Sequence, residues 1–321
     1  MVNPSLERSS QDDPSILCDS AALPLLGRLS IATASTLARM PFSVRSAVGW
    51  LLGYCVGFFP SRDQKIGRAQ IGLYLQHKNP SAIIRLAFAN AAATLLESLN
   101  IQPILRAHRK HISCPAWDDI KRWTCEDRPI VALTAHTGNW DLLAAYIIHR
   151  GIPISTVGRE ARNRAVQHIL ATMRLGYGIE TIWRSDRRGV KRLLECFKEK
   201  RVVAALIDQD TRVDSVFVPF FGSPAKTPSS LISIGKRSQA KFVSAFLFRV
   251  GFLRYEIFAQ EFPDDLSEQE ILATFNTRLE DLVRRYPAQW VWFHKRWRSR
   301  PDGTVLSSRE YLHRLRHKLP F

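Results

Sequence analysis

Pro129-Ile130-Val131-Ala132-Leu133-Thr134-Ala135 is the stretch on which the fold reading turns. A short, unbroken apolar run of this length, rich in Ile, Val, Leu and Ala, is what a strand covered on both faces requires. It ends at the polar group His136-Thr137-Gly138-Asn139, after which Asn139 to His149 has helical character. Further apolar runs lie at Ile154 to Val157, Ile179 to Trp183, Val202 to Ile207 and Phe242 to Phe248. Helical patterns alternate with them, at Ala165 to Met173, Val190 to Lys198 and Ser229 to Ser238, with a further helix over Leu266 to Arg285. Strand and helix alternating in this way predict an α/β fold, a layered αβα domain with a mostly parallel sheet. We place that domain at residues 115–305.

Upstream, Met1 to about Ser20 mixes Ser, Asp, Pro and Gln without periodicity, so residues 1–22 read as a mobile tail with no cleavable export signal. Residues 23–60 turn apolar in two stretches, Leu23 to Met40 and Phe42 to Phe59, separated by Pro41 and ended by Pro60. This predicts a helical hairpin preceding the α/β domain. Each stretch is near the minimum of roughly 17 residues that crosses a bilayer. Arg28, Arg39 and Arg45 interrupt them, which suits helices lying in the interface with arginines toward headgroups and Trp50, Leu51, Leu52, Phe58 and Phe59 buried in lipid. Residues 61–114 read as a helical region packing on the core, and residues 306–321 as a basic tail.

The chain has 321 residues, with 46 Lys+Arg against 29 Asp+Glu and a formal charge of +17. Its 45% hydrophobic content excludes wholesale disorder. The charge calls for an anionic partner: nucleic acid, an acidic membrane, or a phosphorylated or acidic-protein substrate. Five cysteines, Cys18, Cys55, Cys114, Cys125 and Cys196, form no CxxC pair, so a reduced compartment is the default. His108 and His111 have a chelating spacing, but no nearby Cys or carboxylate completes a four-ligand set, and no metal is expected.

In open α/β sheets ligands bind beyond the carboxyl ends of the strands. Three such ends carry His136, Arg159 and Asp208-Gln209-Asp210. On one continuous helix His136 and Asp141 would point roughly 140° apart, at about 100° per residue. If Gly138 turns the chain and Asn139 caps the following helix, His136 can fold back onto Asp141. A carboxylate on imidazole Nδ1 fixes the tautomer and frees Nε2 to take a proton, the base half of a serine-protease triad. No GxSxG nucleophile elbow is present, so the substrate is expected to supply the attacking hydroxyl, in direct acyl transfer. Asp210 is expected to position substrate and Asp208 to be structural.

His136-Thr137-Gly138-Asn139-Trp140-Asp141 resembles the HxxxxD/E signature of the lysophospholipid acyltransferase superfamily, in the HxGNW(D/E) form of its lipid A biosynthesis acyltransferase branch. Further similar blocks follow in order: Asp208-Gln209-Asp210, Val216 to Gly222 with Thr227, and Tyr286-Pro287 through Trp297 to Arg300-Pro301. The resemblance implies transfer of a fatty acyl chain from acyl carrier protein to a hydroxyl of a phosphorylated glucosamine lipid, at the cytoplasmic face of a bacterial inner membrane. It implies His136 and Asp141 as the catalytic dyad, with Asn139, Arg159, Asp210 and Thr227 binding substrate. No cofactor is implied beyond the acyl-carrier donor. Val243-Ser244 departs from the Val-Pro of relatives.

Two rivals are weaker. A glycerolipid acyltransferase usually carries Glu-Gly-Thr-Arg, which Asp210-Thr211-Arg212 only partly echoes. Nucleic-acid binding would use Trp290 to Trp297, interleaved with Lys295 and Arg296, but leaves the apolar N-terminus and the strand-end residues unexplained.

Overall fold

The computed structural model describes residues 23–319 and 321. The expected mobile tail, residues 1–22, lies outside them. The N-terminal part is helical: α1 (Leu25–Arg39), α2 (Phe42–Val56), α3 (Arg62–Tyr74), α4 (Pro80–Ser98), α5 (Gln102–Arg106) and α6 (His108–His111). The alternating region follows, with β1 (Ile112–Ser113), α7 (Trp117–Cys125), β2 (Ile130–Thr134), α8 (Trp140–His149), β3 (Ile154–Gly158), α9 (Arg164–Gly176), β4 (Glu180–Trp183), α10 (Gly189–Lys198) and β5 (Val202–Leu206). A hairpin of β6 (Ser215–Phe220) and β7 (Ser223–Pro228) leads to α11 (Ser230–Arg237), β8 (Lys241–Gly251), β9 (Arg254–Glu261), α12 (Glu268–Arg285) and α13 (Ser308–Arg316).

Seven strands form one sheet in the order β1-β9-β8-β2-β5-β3-β4. All neighbouring pairs are parallel except β8 with β9. The αβα expectation therefore holds, with β2 at the centre. The sheet begins earlier than the expected boundary at residue 115, because Ile112 and Ser113 pair with Tyr255 and Glu256.

Register sorts the strand residues into two faces. Thr156, Ala204, Ala132 and Val243 lie in one row across β3, β5, β2 and β8. This face meets α8 and α7 through Leu142, Leu143, Tyr146 and Trp123. The opposite face, with Val131, Leu133, Val203, Phe242, Phe246 and Phe248, packs against Phe275, Leu279, Trp290 and Trp292.

Two expectations need correction. Residues 306–321 are not a loose basic tail: a capping box between Ser307 and Glu310 starts α13. Its buried Tyr311 and Leu315 join the core, and the Tyr311 hydroxyl bonds to Gln70 of α3. The second concerns 23–60. The two helices form, but α2 packs chiefly on α4 and α1 on α9; each has 15 residues, and no described helix is long and apolar enough to cross a membrane. Arg45 does not face outward either. It is fully buried and donates to the carbonyls of Ala38 and Asn100, locking α2 inward.

Gly49 and Gly53 bring α2 against α4, where a Cβ at either position would meet the α4 backbone at 2.8 Å and 2.3 Å. The outer side of α2 leaves Trp50, Leu51, Leu52 and Val56 exposed, and the following turn leaves Phe58 and Phe59 exposed.

Candidate active site

Strand β2 delivers His136 to the sheet's carboxyl edge, where the chain turns sharply at Gly138. Its φ is +48°, and a Cβ there would stand 2.2 Å from the Leu247 carbonyl oxygen, so only glycine fits. Asn139 then caps α8, its side-chain oxygen accepting from the Leu142 N–H at 2.9 Å. Its amide donates to the fully buried Glu97, which pairs with Arg249. The loop is thus held from α4 and β8 as well as from its own helix.

The expected His136–Asp141 contact does not form. His136 Nδ1 bonds Asp208 Oδ1 at 2.7 Å, and the His136 backbone N–H donates to Asp208 Oδ2 at 3.0 Å. The Trp290 indole N–H donates to the same Oδ2 at 2.9 Å. Burial alone would raise the Asp208 carboxyl, but the His136 charge and these hydrogen bonds outweigh it and bring it down to about 2. It is therefore ionised at neutral pH, holding the imidazole from one side and leaving Nε2 directed away from the pair.

The cause is sheet order. β5 lies beside β2 in parallel register, with the Ile207 N–H donating to the Thr134 carbonyl, so Asp208 emerges next to His136. Asp141, in the first turn of α8, accepts instead from Arg174 Nε of α9 at 2.9 Å.

A cavity of about 930 Å³ opens beside the imidazole. Trp140 packs edge-on to His136 at 5.1 Å, and Asp141, Arg159, Arg174, Arg184, Gln209 and Thr211 contribute polar wall. The remainder is overwhelmingly apolar. It runs along the small-residue face of the sheet, past Ala132, Ala204, Ala245 and Ala259, toward Ile120, Trp123 and Ile130. From Ile130 to His136 is roughly 20 Å at about 3.3 Å per residue. Leu193, Ala205 and Leu231 show that the space also reaches round the other side of β5.

Of the six expected site residues, His136, Asp141 and Arg159 line this cavity, while Asn139, Asp210 and Thr227 do not. Asn139 is the buried helix cap. Asp210 uses its carboxylate on the Ser299 N–H and hydroxyl, at 2.7 and 3.0 Å, and its own N–H donates to His294 Nε2. It therefore pins the C-terminal segment behind the site. Thr227 is fully buried, its hydroxyl bonded to the Ala225 carbonyl and to Arg296.

The residues the sequence reading missed are Asp208 as imidazole partner and Arg174 as partner of Asp141. Asp208 stood at a strand end, but which strand lies beside β2 is not written locally. Trp290, Trp292, Trp297 and Arg296 are all buried, so the aromatic and basic run cannot stack bases.

Residues 24–299 match the family described as bacterial lipid A biosynthesis acyltransferase. The chain is 24% identical over 277 residues to the lipid A biosynthesis palmitoleoyltransferase of Escherichia coli (strain K12), covering 83% of this chain and 88% of the relative. It is 25% identical over 284 residues to a lipid A biosynthesis acyltransferase of Haemophilus influenzae, covering 84% and 86%. A phosphatidylinositol mannoside acyltransferase of Mycolicibacterium smegmatis is 23% identical over 228 residues, covering 68% and 73%. With the motif blocks in order and one family matched over most of its length, this chain belongs to the bacterial lipid A biosynthesis acyltransferases.

Proposed function

We propose that this protein moves a fatty acyl chain from acyl carrier protein to a hydroxyl of a phosphorylated lipid A precursor, with His136 as general base. The observation that carries the reading is the His136–Asp208 pair at the head of a long apolar cavity. His136 Nε2 takes the proton of the acceptor hydroxyl as its oxygen attacks the thioester carbonyl carbon. The tetrahedral intermediate collapses, the C–S bond breaks, and the imidazolium returns the proton to the departing carrier thiolate. The products are an ester and a free thiol. Asp208 stabilises the imidazolium while it exists.

Arg174 is anchored by Asp141 and shares the cavity wall, so it offers a fixed cation for the developing oxyanion. The cavity's apolar length suits the acyl chain. Exposed Arg159, Arg184, Arg187 and Arg188 at and beside its lining suit an acidic carrier or a phosphorylated acceptor.

The exposed apolar residues of α1 and α2, flanked by Arg28, Arg39 and Arg62, favour a protein lying on an anionic membrane surface rather than spanning it. In this reading the enzyme works at the cytoplasmic face of the inner membrane, where carrier and lipid meet.

The test uses purified protein, acyl-loaded carrier and a lipid A precursor in mixed micelles. Wild type should form the acylated product by mass spectrometry, and His136→Ala should lose about 1,000-fold or more of the rate. Undiminished transfer by that variant would reject the base.

A further inference from the structure

The aromatic segment at Gln289-Trp290 lies against the loop that carries His136. Thr137 and Trp290 form an antiparallel bridge, and the Gly138 N–H donates to the Gln289 carbonyl at 3.0 Å. Gln289 is itself fastened to β8: its side-chain N–H donates to the Arg249 carbonyl and its side-chain oxygen accepts the Arg249 N–H, both at 2.7 Å. The His136 loop is therefore backed by a short segment whose place is set by the sheet.

Three indoles of this segment are buried, and their N–H groups have different destinations. Trp292 donates to the Pro287 carbonyl at 2.6 Å and Trp297 to the Phe220 carbonyl at 3.2 Å, both backbone acceptors. Trp290 donates to the Asp208 carboxylate instead, at 2.9 Å. Its ring is 2% exposed and wedged among Phe220, Trp292 and Trp297, at 5.3, 4.7 and 6.5 Å between ring centres, so the indole has no room to swing away.

The two Asp208 oxygens divide their partners. Oδ1 accepts from the imidazole, while Oδ2 accepts from the His136 backbone N–H and from the Trp290 indole. Without the indole, Oδ2 keeps only the backbone donor, and the carboxylate gains freedom to pivot about its Cβ–Cγ bond. We infer that Trp290 is a positioning residue for the base: its N–H, held in place by the bridge to Thr137, fixes the plane of the Asp208 carboxylate so that Oδ1 stays on Nδ1 of His136. An outer partner that orients the group behind a reacting side chain acts on rate rather than on substrate binding. The inference rests on the acyltransferase reading with His136 as base, and specifies how that base is held.

The test measures kcat and KM of full-length protein with acyl-loaded carrier and a lipid A precursor in mixed micelles. Trp290→Phe removes the donor and part of the ring; benzothienylalanine at position 290 keeps the bicyclic shape and puts sulfur where the N–H stands. Both should lower kcat about 10-fold, the usual worth of a hydrogen bond to a charged group, with KM for either substrate changed less than about 2-fold. Benzothienylalanine at position 292, which loses a bond to a backbone carbonyl in the same core, should leave kcat within about 2-fold. In an Asp208→Ala background the replacement at 290 should have no further effect on kcat, because the group it holds is gone.

An unchanged kcat with benzothienylalanine at 290 overturns the inference while leaving the base reading intact. An equal fall with the replacement at 292, a loss confined to KM, or the same 10-fold fall in the Asp208→Ala background also overturns it, by showing that the ring serves the core and not the carboxylate. Normal transfer by His136→Ala overturns both readings together.

Discussion

On one face of the central sheet Phe242, Phe246 and Phe248 meet Phe275, Trp290 and Trp292 with almost no exposed surface, while on the other Ala132, Ala204, Ala245 and Ala259 front a cavity of about 930 Å³. Both faces are drawn from the same strands, residue by alternate residue. Large rings on one side let α12 and the C-terminal segment seal the sheet, and that sealed side anchors Asp208 through the Trp290 indole. Small side chains on the other leave room between the strands and the helices that cover them. The pair of faces teaches that the hollow is paired with a firmly packed backing: His136, the proposed base, sits where the two meet.

The contrast predicts that the two faces answer differently to substitution. Phe275→Ala, which opens a void in the solid face, should cost about 3–5 kcal/mol in a denaturant titration. A loss below about 1 kcal/mol would mean that this side is less tightly packed than described.

Next in size is a pH effect confined to the sealed side. Burial pushes the His294 imidazole down, to about 4, where it stays neutral and accepts the Asp210 N–H. The unfolded chain, with an ordinary value near 6.5, binds the proton first. Stability from this group is therefore complete above about pH 6.5 and declines as pH falls toward 4, by about 3 kcal/mol in all. Subtracting the His294→Gln curve from wild type should isolate that slope; parallel curves would show the imidazole to be freely protonated.

The smallest stability change belongs to the hollow face. Ala204→Leu extends into existing space, so folding stability should shift by less than about 1.5 kcal/mol. Transfer of a long acyl chain should nevertheless fall about 10-fold, and a shorter chain should suffer less. Equal losses for both lengths would place the acyl chain elsewhere.

How much of this was legible beforehand follows from the range of the interactions. β2, β5 and β8 announced themselves because a doubly covered strand is mostly apolar, and β3 and β4 by shorter runs that Ser155, Thr156, Glu180 and Thr181 interrupt. Asn139 was readable as a cap because it stands between the Gly138 turn and a helical pattern. β6 and β7 hid behind Pro219, Pro224 and Pro228, residues that argue against strands but are tolerated in an isolated two-stranded hairpin.

The Ser307-x-x-Glu310 capping box of α13 was present in the sequence, yet the surrounding basic residues drew the reading toward a tail. Asp208 was out of reach for a different reason. Its bond to His136 joins residues 72 apart, and depends on β5 returning to lie beside β2, which no spacing within the HxxxxD block encodes.

That long-range pairing is the central claim, and two conservative variants compared side by side address it. Single-turnover acyl transfer by Asp208→Asn should fall by about 100-fold or more, because the amide can no longer both hold Nδ1–H and stabilise the imidazolium. Asp141→Asn should fall less, since that carboxylate anchors Arg174 rather than the base. Near-normal transfer by Asp208→Asn together with a collapse in Asp141→Asn would contradict the account and return the imidazole to Asp141.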